Sequence, residues 1–173
     1  MDFSLTPEQQ EWQNAAIEFA KASLNDDMIA RDHNAEFNRE FWNRCAEFGV
    51  QGLPVPEKYG GTGGDVATGI AVMEGLGYGC KDAGLLFSIN AHLWTNSVPI
   101  LLYGNEKQKQ KYLPGLSNGT LIGANGASEP ESGSDVFAMK TRAVKQGDKY
   151  ILNGTKMFVT NAPTCDLAVI FAT

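Results

Sequence analysis

The apolar positions of this chain change period near residue 119. Before it they recur at helical spacing. Trp12, Ala16 and Phe19 follow Thr6-Pro7-Glu8-Gln9, the repeat of a helix with one apolar face. Thr6 suits the N-cap, Pro7 the first helical position, and Gln9 stands where a capping box needs Glu or Gln. Asn38 opens a second, shorter helix carrying Phe41, Trp42, Cys45 and Phe48, and Gly49 ends it. LPVPEKYGGTGG, residues 53–64, holds two prolines and four glycines and predicts a long turn. Further helices are predicted near 66–78, 82–102 and 105–118. Pro114 should kink or end the last of these. The aromatic stripes read as core, and Lys107, Lys109 and Lys111 as a solvated face.

After Gly119 the pattern turns β-like. TLIGANGA is one such run, and AMKTRAVKQGDKYILNG alternates on either side of Gln146-Gly147-Asp148, a hairpin signal. TKMFVTN and DLAVIFAT are two more strand candidates. A few strands ending at Thr173 would leave open edges, so the sequence reads as truncated or as pairing with something outside it.

Composition narrows the classes. A length of 173 residues suits one compact domain, or one domain with part of another. Hydrophobic (43%) and charged (20%) shares are ordinary for a soluble globular protein. The net charge of −6 argues against a nucleic-acid partner and an anionic membrane surface. No apolar run approaches the roughly 18 residues of a transmembrane helix. MDFSLTPEQQ shows no basic segment followed by an apolar one, so no leader is expected. Cys45, Cys80 and Cys165 are far apart and odd in number, with no metal or disulfide spacing. They read as free thiols in a reducing compartment, and a cytoplasmic location is the default.

The stretch with unexplained chemistry is GASEPESGSD, residues 126–135. Its proline, glycines, serines and carboxylates all disfavour helix, so it is a loop. It contains no P-loop, and neither Ser128, Ser132 nor Ser134 sits in a nucleophile elbow. The glycines at 60–64, 75, 77 and 79 do not form a dinucleotide fingerprint. His92, inside a predicted apolar helix, reads as a core or interface histidine rather than a base. Glu129, Glu131 and Asp135 are spaced too irregularly for a hard-cation site, and no metal site is expected. What remains is a Gly/Ser loop at a strand end, followed about 25 residues later by KMFVTN. Small side chains and free backbone N–H groups allow close approach to a flat or phosphorylated ligand. These residues fit either a cofactor site or a structural loop.

SEPESGSD resembles the T-E-P-x-[AS]-G-S-D signature of the acyl-CoA dehydrogenases. VPEKYGG, GNEKQKQKYLPGLSNG and GDKYILNGTKMFVTNA resemble three further motifs of that family, in its order and spacing. The resemblance covers most of the chain from residue 53 onward. It implies an α+β chain: an all-helical N-terminal domain over 1–119, followed by the opening strands of a β-barrel middle domain over 120–173. The family's C-terminal helical bundle is absent from this stretch.

The resemblance also implies bound FAD and α,β-dehydrogenation of an acyl thioester. In that reaction a carboxylate removes the α-proton and the flavin accepts the β-hydride. Carried over by motif, Asn125, Ala127, Ser128, Phe158 and Thr160 are cofactor contacts, and Ser134 is a substrate contact. Glu129, Pro130, Gly133 and Asp135 are expected to shape the turn.

The chain departs from the family pattern at several of these positions. Ser128 stands for a usual Thr, Ala127 for a branched aliphatic, Asn125 for a frequent aromatic and Phe158 for a frequent Trp. NAHL with ANGASEP is more similar to the branch acting on carrier-tethered aminoacyl groups such as prolyl. The family's catalytic glutamate lies in the C-terminal domain, so no catalytic base is assigned and this chain alone is expected to be inactive. The implied partners are an acyl thioester of CoA or of a carrier protein, an electron-transfer flavoprotein and, in the full-length form, further copies of the chain in a homo-oligomer. An acyl-CoA oxidase, a reductase running the reverse reaction and a non-catalytic binding module recognising a carrier protein or partner subunit are the alternatives.

Overall fold

The computed structural model describes residues 4–173. Met1–Phe3, part of the stretch read for a leader, lie outside the described residues. Helix α1 (Pro7–Ser23) starts as the sequence implies: Thr6 accepts from the Gln9 backbone and the Gln9 side chain closes the capping box. α2 (Met28–His33) is a six-residue helix with no apolar stripe to predict it. It is held by Arg31, which bonds Asp26 at 2.7 Å and Asp82 at 3.0 Å. α3 (Arg39–Phe48) is capped by Asn38 and ended by Gly49 at φ 96°. The long turn contains a single 3-10 turn, Glu57–Tyr59.

α4 (Val66–Gly79) lies against α1, and the fit depends on small residues. A Cβ on Gly75 would come within 2.5 Å of the Gln13 carbonyl, and one on Gly79 within 2.6 Å of the Ala20 Cβ. Packing therefore accounts for glycines that the sequence left without a role. α5 (Ala83–His92) runs through a π-helical turn, Leu93–Ser97, into α6 (Val98–Tyr103). α7 (Glu106–Ser117) continues past Pro114, where the sequence predicts a kink or stop. Leu113 and Leu116 are fully buried on either side of it, and that burial outweighs the missing amide bond.

The stretch Ala83–Tyr103 passes a test of length and mean hydropathy for crossing a membrane, but it is no uninterrupted apolar run, because Ser88, Asn90, His92, Thr95, Asn96 and Ser97 punctuate it. Its polar residues identify it as a core helix. His92, Asn96 and Ser97 are all buried within the protein, and His92 and Asn96 hydrogen-bond neighbouring elements.

β1 (Gly123–Gly126) pairs in parallel with β4 (Leu167–Ile170), with Gly123 opposite Leu167. β2 (Arg142–Gln146) and β3 (Lys149–Asn153) form the expected hairpin, with Gln146 opposite Lys149 and Gly147 at φ 62°. TKMFVTN, expected as a strand, is not one. Phe158 and Asn161 both take positive φ, 55° and 69°, which breaks any ladder there.

The main core gathers Leu24, Trp42, Val50, Leu76, Ile89 and Ile122, while Val55, Tyr59, Leu113 and Leu116 form a second cluster. Trp42 donates to the Gly119 carbonyl at 2.9 Å and meets the His92 ring edge-on at 5.0 Å.

Candidate functional site

Hydrogen bonds with α5, the π-helical turn and the turn carrying Asn161 hold β1. The His92 ring is fully buried. Its Nδ1 accepts from the Gly123 amide at 2.9 Å, and its Nε2 lies 3.0 Å from the Leu116 carbonyl. An N–H donor at Nδ1 would face another donor, so the proton sits on Nε2. Burial pushes this imidazole down to about 4, so it is neutral with both nitrogens engaged. This agrees with the sequence reading of a core histidine. From the π-helical turn, Asn96 donates to the Ala124 carbonyl at 2.8 Å. A Cβ on Gly123 would fall 2.3 Å from the Asn96 Oδ1, so only glycine allows β1 to lie this close. Asn125 donates to the Thr95 carbonyl at 2.8 Å, and Asn161 to the Gly123 carbonyl at 3.0 Å.

Beside β1 opens a cavity of about 350 Å³. Asn125, Ala127 and Ser128 form one wall, and Met157, Phe158 and Thr160 a second. Phe87, Asn90, Ala91, Trp94 and Thr95, from α5 and the π-helical turn, form the third. The residues singled out in the sequence as cofactor contacts thus border one hollow. Ser134 does not: it is exposed on the loop and lines no part of this cavity. The Phe158 ring is 88% exposed. Among the described residues the Ser128 and Thr160 hydroxyls have no protein partner.

The loop 127–135 is braced from outside the motif. Glu129, 8% exposed, accepts from the Lys140 and Thr141 amides and from Lys156 Nζ at 2.7 Å. Lys156 and these donors hold its carboxyl down at about 2. Lys156 also donates to the Ala127 carbonyl at 3.0 Å, and Met157 N–H to the Ser128 carbonyl at 2.9 Å. Ser132 donates to the Asp135 carbonyl, and Asp135 accepts from the Phe137 amide. Glu129 and Asp135 therefore shape the turn as the sequence reading has it. Glu131 is exposed and paired with Lys140.

The sequence reading missed the α5 wall and the braces Lys156 and Asn161. The only signal for the wall is the occurrence of Asn90, His92 and Asn96 within an apolar run. Nothing in the sequence pairs Lys156 with a carboxylate 27 positions earlier.

The other hollows are less suited to chemistry. One of about 580 Å³ lies between α2 and the start of α5, where Arg31 is spent on Asp26 and Asp82. Another of about 450 Å³, between α6, α7 and β4, is lined by no carboxylate, imidazole or thiol. Burial pushes the Cys45 thiol up to about 12, which removes it as a nucleophile at neutral pH. Among the described residues no three His, Cys, Asp or Glu side chains converge as a metal site.

Comparison with known proteins adds a family frame. Residues 6–120 match the model for "Acyl-CoA dehydrogenase, N-terminal domain", and residues 124–173 that for "Acyl-CoA dehydrogenase, middle domain". An L-prolyl-[peptidyl-carrier protein] dehydrogenase of Serratia sp. is 38% identical over 172 residues, covering 99% of this chain and 45% of that protein. The crystal structure of the prolyl acyl carrier protein oxidase AnaB superposes with TM-score 0.93 at 48% identity, over 98% of this chain and 45% of that one. The structure described as PigA with FAD and proline gives TM-score 0.93 at 38% identity, over 100% and 45%. The chain thus spans about 45% of the length of these relatives.

Proposed function

This chain belongs to the acyl-CoA dehydrogenase family, and on that premise we propose that it carries the flavin-facing half of an FAD-dependent site for α,β-dehydrogenation of an acyl thioester. The observation that carries the reading is the single cavity bordered by Asn125, Ala127, Ser128, Phe158 and Thr160. We take residues 1–119 as the helical unit and 120–173 as the opening of the middle unit.

The residues fit the cofactor. A tricyclic flavin needs apolar contact on its face and hydrogen-bonding partners along its edge. Phe158 and Trp94 line the cavity with exposed or half-buried rings, and the Ser128 and Thr160 hydroxyls are unspent. The replacement of Thr by Ser128 keeps the hydroxyl. When bound, FAD supplies a two-electron acceptor for the β-hydride. Asn125, Ala127, Ser128, Phe158 and Thr160 would hold the ring, and the α5 residues Phe87, Asn90 and Ala91 would flank it on one side.

The reaction also needs a base for the α-proton, and no described residue fits that role. Glu129 is locked as an ionised carboxylate by Lys156 and two amides. Glu131 is exposed and paired, and His92 is buried with both nitrogens engaged. We therefore place the base outside this stretch, in a longer parent protein, and read the 173-residue chain alone as inactive. The substrate we favour is an aminoacyl group of prolyl type tethered to a carrier protein. The Serratia, AnaB and PigA relatives support it, with a CoA thioester as the competing form.

The test is an absorption spectrum across a gel-filtration peak, for residues 1–173 and for the longest natural form containing them. A flavin band in the longer form supports the reading, and a band in both forms means these walls suffice to hold FAD. No band in either removes the cofactor assignment and favours a carrier-binding module. Turnover of prolyl-carrier thioester but not acyl-CoA fixes the substrate class. Because AnaB is described as an oxidase, turnover with oxygen in place of an electron-transfer flavoprotein would identify an oxidase.

A further inference from the structure

Phe158 has an unusual position. A bulky residue at φ 55° is strained, and its ring is 88% exposed. Neither backbone preference nor packing therefore holds it in the cavity wall, and the restraint must come from neighbouring residues. On one side, Met157 N–H bonds the Ser128 carbonyl. On the other stands Asn161, itself at φ 69°. Its side chain makes three hydrogen bonds. Nδ2 donates to the Ser88 carbonyl at 3.1 Å and to the Gly123 carbonyl at 3.0 Å, and Oδ1 accepts from the Ser88 hydroxyl at 2.5 Å. Ser88 is buried on α5, and Gly123 begins β1. One amide thus ties together the three walls of the cavity: helix, strand and the aromatic arm 157–160.

Resting on the flavin reading above, we propose that Asn161 is a positioning residue. With Ser88 it latches the Phe158–Thr160 arm against β1 and so sets the packing and hydrogen bonding of the flavin edge, without touching the flavin itself. The geometry asks for an amide at this position. A carboxylate would turn a second oxygen toward two carbonyls, and an alkyl chain would leave both carbonyls and the Ser88 hydroxyl unpaired.

The variants Asn161→Gly, Asn161→Asp and Ser88→Ala test this in the longest natural form of the protein. Glycine adopts φ 69° freely, so Asn161→Gly removes the latch and keeps the backbone path. We expect Asn161→Gly and Asn161→Asp to raise the FAD dissociation constant about tenfold or more and to shift the flavin absorption band. Ser88→Ala should do so by about threefold. In flavin-free protein, amide exchange over 157–161 should quicken in the same order. A merely structural role would lower the melting temperature without moving the flavin band.

Asn161→Gly with wild-type affinity, spectrum and exchange would overturn the proposal and leave Asn161 as a residue chosen for its backbone angle. If Asn161→Asp does not fold, the glycine and Ser88→Ala variants decide alone. Wild-type protein without a flavin band would overturn the flavin role. The exchange measurement would then report separately on whether the amide holds the arm.

Discussion

His92 joins α5, the end of α7 and the start of β1 only while neutral, and burial keeps it so by pushing its pKa down to about 4. The unfolded imidazole titrates near the ordinary value of about 6.5. Between these values the unfolded chain binds the extra proton, so stability rises with pH across the window. The contribution is complete above about 6.5 and is lost as pH falls toward 4, a loss of about 3 kcal/mol. We expect His92→Gln to flatten this part of the curve of melting temperature against pH relative to wild type. Glu129 follows the same sign at lower pH, through ion pairing and hydrogen bonds rather than burial. Its carboxyl is held down at about 2 by Lys156 and neighbouring donors, so its contribution is present above the ordinary carboxylate range and lost as pH falls toward 2. Glu129→Gln should lower the melting temperature at pH 7, and the gap to wild type should close in strong acid.

At the scale of elements, the contact between α1 and α4 makes the sharpest claim. Gly75 and Gly77 sit two residues apart on one helix, yet a Cβ on Gly75 would meet the Gln13 carbonyl at 2.5 Å while one on Gly77 would meet nothing. Gly75→Ala should cost about 1–3 kcal/mol by forcing the helices apart. Gly77→Ala should stabilise by up to about 1 kcal/mol through helix propensity. Urea unfolding of the two variants compares them directly, and equal effects would refute the packing account. α7 shows the same rule from the other side: the buried pair Leu113 and Leu116 carries the helix through Pro114.

At the scale of the whole molecule, a well-buried helical core supports a thinly covered β region. Val144, Tyr150, Ile151 and Leu152 of the hairpin are exposed by 51%, 62%, 42% and 51%. Val144 stands opposite Ile151 in the register. Exposed apolar strands invite edge pairing. The 173-residue chain studied by itself should therefore self-associate with rising concentration in sedimentation velocity. The double change Val144→Thr with Ile151→Thr should weaken this association about tenfold without disturbing the helical circular dichroism. Unchanged association would locate the sticky surface elsewhere.

Much of this was legible in the chain because it is local. Caps at Thr6 and Asn38, the Gly49 stop and the hairpin at Gly147 each depend on residues within a few positions, where sequence and backbone geometry are directly coupled. The carried-over motifs likewise marked Asn125, Ala127, Ser128, Phe158 and Thr160, which border one cavity. What could not be read depends on distant partners. α2 exists through an ion pair from Arg31 to Asp82, 51 positions away. TKMFVTN alternates like a strand, yet the bonds of Asn161 to Ser88 and Gly123 bend it into a turn. Ser134 lies within the motif but outside the cavity, because the turn braced by Glu129 carries it to the surface. Sequence by itself determined the elements and the residues with chemical potential. Tertiary structure decided which of them share a cavity, because buried hydrogen bonds and close packing are satisfied by partners that no local pattern names.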